Sequence, residues 1–240
     1  LEKVSKSDHQ KALELLNNLE KEHAVRRKWV WNELGKAPLA NALKSLVQMA
    51  SLSIQSYASS TIEELNDYYL KEGFMADQDM RKALAAVKSE KDKSAIVKVI
   101  RLFYQPWVTS LTQKFQNLVK NDPTLFTSQS STDETESFIL FADAFRYEMA
   151  EEFVKRLQNG SYEIGLDATW TAIPSLTATS KPAASPVSHK ISVQSTITEF
   201  RPVLENGKDL VTQAFRDTME GVGYTYIRNA SEIEAGKKYW

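Results

Sequence analysis

Up to about residue 119 the apolar residues of this chain recur at three- and four-residue spacing, and beyond residue 137 they do not. The first pattern belongs to helices that bury one stripe against each other. The second, short apolar runs set between polar and Pro-rich stretches, belongs to strands alternating with helices. The chain is therefore predicted to hold a helical bundle over residues 1–126, a linker over 127–137 and an α/β portion over 138–240. TSQSSTDETES, Thr127 to Ser137, carries no apolar side chain and reads as that linker, or else as a surface loop within one domain. Charge divides at the same place: residues 1–130 carry a net +4 and residues 131–240 a net −5, which the total of −1 conceals.

In the first part, Ser7 is a plausible N-cap for a run carrying Leu13, Leu16, Leu19, Val25 and Trp29, which Gly35 and Pro38 stop. A second helix from Leu39 carries Leu43, Leu46, Val47 and Ala50. Thr61 and Glu64 form a candidate capping box for a third, with Ile62, Leu65 and Tyr69 on its stripe. A fourth spans Asp77 to Val87. The last runs from Ser94 to Val119 with Ile96, Val99, Ile100, Phe103, Leu111, Phe115 and Leu118, and Pro106 is expected to kink or divide it. Phe103, Tyr104, Trp107 and Phe115 read as packing for this bundle.

In the second part, Ser137 to Asp143 (SFILFAD) is a continuous apolar run of the kind found in a strand covered on both faces. A helix follows from Ala144 and stops at Gly160. Tyr162–Leu166, Ser192–Ile197 and Val222–Ile227 read as further strands, with a helix over Lys208–Glu220 before the last of them. A parallel or mixed α/β sheet is the expectation.

Composition narrows the chemistry. Hydrophobic residues at 42% and charged residues at 25% are enough for a sizeable core. With no cysteine there are neither disulfides nor thiolate ligands, so any metal must sit among carboxylate, hydroxyl and imidazole groups. No apolar stretch approaches the ~18 residues of a membrane span and the N-terminus is polar, so the sequence reads as cytoplasmic, without a membrane partner.

Asp143 ends an apolar strand and opens a helix, where α/β sheets bind ligands; it suits a hard divalent cation or a basic partner, and equally a helix cap. Thr169 to Ile191 is rich in small hydroxylated residues and punctuated by Pro174, Pro182 and Pro186. A hydroxyl at a helix start there, Thr177, suits attack on or binding of phosphate, while Thr177 or Thr179 as a plain cap is the alternative. Arg26, Arg27 and Lys28 beside Trp29 and Trp31 place cations next to stacking surfaces suited to nucleic acid, but on one helical turn they would point in different directions.

Together, FILFADAFRYEMAEEFVKRL (138–157) and WTAIPSLTATSKPAASPV (170–187) closely resemble the PglZ domain, a branch of the alkaline phosphatase-like superfamily associated with BREX bacteriophage-defence systems. The shared elements are an apolar strand ending in Asp-x-x-Arg and a following Pro-x-x-Thr-Ala-Thr-x-Lys-Pro. Upstream, HAVRRKWVWNELGKAPLANAL (23–43) is similar to the helical region that precedes this domain in one PglZ subgroup. More distantly, residues 174–177 and 185–191 resemble the nucleophile turn and following loop of nucleotide pyrophosphatase/phosphodiesterases.

This resemblance implies a helical bundle followed by the first part of an alkaline phosphatase-like α/β sheet domain. It also implies a two-ion centre, zinc or a similar divalent metal, for hydrolysis of a phosphate monoester or a nucleic-acid diester. Asp143 would be a metal ligand, and Thr177 both a metal ligand and the nucleophile. Lys181 and Arg146 would be substrate-binding cations. The implied partners are other BREX subunits and nucleic acid. The resemblance also requires later Asp and His ligands, yet His189 alone of the histidines follows Thr177 and reads as lying outside the metal shell. The chain is thus expected to be a fragment of a longer protein, with an incomplete metal site and little activity of its own. The competing expectation is a scaffold subunit of the defence complex that keeps the fold and lacks catalysis.

Overall fold

The computed structural model describes residues 1–55, 57, 59–121, 142, 144–158, 160–168, 175–195, 200–227 and 230–239. They form two compact units. One comprises Leu1–Asn121 with Arg146–Leu166, and the other holds Ala142, Ala144, Phe145 and the described residues from Asp167 onward.

The first unit is all-helical. Its elements are α1 (His9–His23), α2 (Val30–Glu33), α3 (Pro38–Ser53), α4 (Ile62–Tyr68), α5 (Phe74–Ala85), α6 (Glu90–Asn121) and α7 (Tyr147–Leu157). Asp8, not Ser7, caps α1: its carboxylate accepts from the Lys11 N–H at 3.0 Å. Proline at the first position of α3 forfeits only an N–H that would be unpaired there anyway. At α4 the expected box forms with a shift of one residue, since Thr61 accepts from the Glu64 N–H while the Glu64 carboxylate reaches the Ser60 N–H at 2.6 Å. α3 packs against α1, α5 and α6. The core between them is built from Leu16, Leu43, Leu46, Met49, Ile96, Val99 and Phe103, with Ala12, Ala42, Ala50 and Ala83 letting the helices approach closely. Asp79 of α5 is buried against this core, and burial pushes its carboxyl above the usual range although Ser45, Lys82 and Lys44 oppose this. A raised native value means the folded state holds the proton more tightly, so Asp79 stabilises at low pH and that contribution is lost as pH rises through the native value. Asp79→Asn is expected to be more stable than the parent at neutral pH and no more stable in acid, as urea midpoints at the two pH values will show.

The run expected to continue through Trp29 stops at His23. Arg27 turns inward to bond both Glu20 carboxylate oxygens and, at 2.9 Å, the Ala40 carbonyl. The chain over Ala24–Lys28 tightens into a 3₁₀ turn to reach them. α6, by contrast, is not divided at Pro106. Proline has no N–H for the carbonyl four residues earlier, Leu102, and His9 Nε2 lies 3.0 Å from that oxygen, with its ring edge-on to Phe103. His9→Ala should therefore cost about 1 kcal/mol of hydrogen bonding in the parent protein. In a Pro106→Ala background, where the helix satisfies Leu102 itself, that part of the loss should disappear. Equal losses in both backgrounds, measured by denaturant unfolding, would contradict the pairing.

In the second unit α8 (Thr177–Ala183) leads through a 3₁₀ turn at Ser188–Lys190 into β1 (Ile191–Ser195), which pairs antiparallel with β2 (Phe200–Leu204). α9 (Thr212–Glu220) follows, and β3 (Tyr224–Thr225) pairs parallel with β4 (Lys238–Tyr239). Val187, Ile191, Phe215 and Met219 form its core. These two small sheets are not the parallel or mixed α/β sheet expected. The strand predicted over 137–143 lies outside the described residues, apart from Ala142. Tyr162–Leu166 is irregular, with Tyr162 exposed and no partner strand hydrogen-bonded to it among the described residues. Gly221, Val222 and Gly223 form the turn that ends α9, with Gly223 at φ 89°, and Tyr224–Thr225 is the strand found within the expected Val222–Ile227.

Candidate functional site

Thr177 is the first residue of α8 and its side chain is exposed. The cap of this helix is made by Thr179, which is buried: its hydroxyl accepts from the Leu176 N–H at 3.2 Å and donates to the Leu176 carbonyl at 3.0 Å. Thr179 is one of the two threonines that the sequence offered for capping. Lys181 follows one turn after Thr177 and is exposed. Ser175 Oγ lies 3.2 Å from Ser180 Oγ, and the buried Ser185 donates to the Pro182 carbonyl at 2.6 Å, closing the two ends of this hydroxyl-rich helix. His189 is exposed in the turn that leads to β1.

Asp143 lies outside the described residues. A carboxylate and a hydroxyl suit a hard divalent ion, but among the described residues no three carboxylate or imidazole side chains gather to hold a metal.

Arg146 belongs to the first unit, and its surroundings are ones the sequence reading missed. Its guanidinium Nε donates to Glu148 Oε1 at 2.9 Å and a terminal nitrogen lies 3.0 Å from Asp77 Oδ2. Tyr69 donates to the same Asp77 oxygen at 2.5 Å and Tyr104 to the other. Asp77 and Glu148 are 4% and 1% exposed while the Arg146 side chain is half exposed, so two buried carboxylates meet a cation that stands at the edge of the cluster. Burial, then the hydrogen-bonded Asp77 carboxylate, hold both phenols far above their usual range and keep them as donors. Burial opposes the Arg146 charge, but Asp77 and Glu148 outweigh it and raise its proton affinity further.

The backbone prepares this cluster. A π-helical segment, Tyr69–Gly73, sits between α4 and α5 and places Tyr69 beside Asp77. Glycine at position 73 leaves room for this packing, since a Cβ there would sit 3.2 Å from the rings of Tyr68 and Tyr69 and would require them to shift. α7 then docks on α5, with Tyr147 edge-on to Phe74 and Glu152 bonded to Arg81 at 2.6 Å. Glu148 Oε2 is buried without a hydrogen-bond partner among the described residues. A signal was present in the sequence: on α5, Asp77 shares a face with Phe74 and Arg81, and a carboxylate beside a core aromatic needs a partner.

No helix of the described residues is long and apolar enough to cross a membrane. Comparison of the chain with protein-family models, with curated proteins and with solved structures finds no match.

Proposed function

We propose that the chain forms part of a PglZ-type phage-defence protein that hydrolyses a phosphate ester, with Thr177 as the nucleophile and other BREX subunits as its partners. The observation that carries this reading is the place of Thr177: it is the exposed first residue of α8. In this reading the Thr177 oxygen attacks phosphorus as the bond to the leaving group breaks. The hydroxyl proton passes to solvent, and water then releases the phosphoryl group from the threonine. Lys181, one turn along the same helix, is suited to meet the charge on the equatorial oxygens. Asp143 and Thr177 would hold a divalent ion such as zinc, which when bound supplies the Lewis acidity that a threonine hydroxyl needs to ionise near neutral pH.

A second reading, a non-catalytic scaffold, is favoured by Arg146. Its engagement with Asp77 and Glu148 is a structural use of a residue that the resemblance gives to substrate. Hydrolysis of a chromogenic phosphoester by the complete protein separates the two readings. The enzyme reading expects turnover that requires added divalent metal and stops with a chelator, whereas absence of turnover with every divalent metal tried leaves the scaffold.

A further inference from the structure

Around the 3₁₀ turn and α2 the usual roles of side chains are exchanged. The polar Arg27 and Asn32 hold the segment together: Arg27 bonds Glu20 and the Ala40 carbonyl, and Asn32 donates to the Arg27 carbonyl at 3.0 Å and accepts from Asn41 at 2.6 Å. The apolar side chains face outward. Trp29 is 45% exposed, Trp31 58%, and Val25, Val30 and Leu34 are exposed by half or more. A cluster of large apolar groups held at the surface by a polar framework marks a contact surface. Arg26, Lys28 and Lys36 rim it, all exposed and without an ion pair among the described residues. The Arg26 guanidinium sits 5.9 Å from the centroid of Trp29. Glu22 and Glu33 are the acidic groups nearby in the chain.

From this arrangement we infer that the segment Val25–Lys36 binds single-stranded nucleic acid, the indoles of Trp29 and Trp31 stacking on bases and Arg26, Lys28 and Lys36 meeting phosphates. The middle cation, Arg27, is spent internally, and Arg26 and Lys28 on either side of it are the ones exposed to a ligand. Nucleic acid offers anions and flat apolar faces in alternation, as this surface requires. A lipid surface fits less well: interfacial anchoring needs a long continuous apolar helix face, and here the exposed residues lie on, between and just after a five-residue turn and a four-residue helix. This inference does not depend on the phosphoester reading.

The test is binding of a labelled oligothymidylate to the whole chain, followed by anisotropy with a chelator present so that no metal-dependent hydrolysis enters. Three phosphate contacts predict affinity falling roughly twentyfold when salt rises fourfold. Replacing both Trp29 and Trp31 by alanine should weaken binding by about tenfold or more, and the pair Arg26→Gln with Lys28→Gln should flatten the salt dependence. Circular dichroism melts check that these exposed positions leave the fold intact. Absence of binding at low salt, equal affinity in both paired variants, or binding to phosphatidylserine vesicles that the oligonucleotide does not displace would each overturn the inference.

Discussion

Thr177→Ala in the complete protein is expected to lower metal-dependent phosphoester hydrolysis by about 10³-fold or more, since a chain deprived of its nucleophile retains only what positioning and electrostatics supply. The loss should fall on kcat, because the methyl group of alanine leaves the surrounding surface unchanged. Thr177 is exposed, so a melt of the variant reports any change in folding separately from the loss of kcat. Thr179→Ala is the informative contrast. It removes a buried hydroxyl from the cap and is expected to cost about 1 kcal/mol of stability while leaving the nucleophile in place. Steady-state kinetics and thermal melts on the two variants separate chemistry from folding, and unchanged kcat in Thr177→Ala would remove the assigned nucleophile.

Arg146→Ala should have the second large effect, on folding. It takes the cation from Asp77 and Glu148, which are buried, but the Arg146 side chain is itself half exposed and solvent screens part of the pair, so the loss is expected to be about 1–3 kcal/mol. In a unit of this size that corresponds to a melting temperature lower by several degrees. The loss should be smaller when Asp77 is already asparagine, with a coupling of about 1–3 kcal/mol across the cycle. A variant that melts like the parent but hydrolyses poorly would instead return Arg146 to the substrate role implied by the resemblance.

The helical unit was largely legible in the sequence because its information is local. The stripe of Leu43, Leu46 and Ala50, the cap at Thr61 and the buried face of Ile96, Val99 and Phe103 all follow from spacing and from short polar side chains at helix starts. Where the reading failed, the deciding partner was distant. Nothing near Val25 reveals that Arg27 will fold back on Glu20 and the Ala40 carbonyl and so end α1 early. Nor does spacing reveal that His9 will take up the carbonyl that Pro106 leaves unpaired, keeping α6 in one piece. Arg146 was read beside Asp143 because they are neighbours in the chain, yet its partner Asp77 lies on α5, far earlier in the sequence.

In the second part, short apolar runs fixed less. The strand expected over Ser192–Ile197 is found over Ile191–Ser195, but it pairs with the strand just after it, and Tyr162–Leu166 has the composition of a strand without a partner among the described residues. An alternating or apolar run states that one face seeks burial and leaves the choice of neighbour to the rest of the chain. At the candidate site the hydroxyls of Thr177 and Thr179 are both visible in the sequence, and only the geometry shows Thr179 buried against the Leu176 backbone and Thr177 exposed.

The central claim is that the Thr177 oxygen becomes bonded to phosphorus during turnover. Rapid acid quenching of the complete protein during hydrolysis, followed by peptide mass spectrometry, tests it directly. The account predicts a phosphoryl adduct on the peptide containing Thr177, absent without metal and absent in Thr177→Ala. Steady turnover with no adduct there, or with an adduct on another residue, would contradict it.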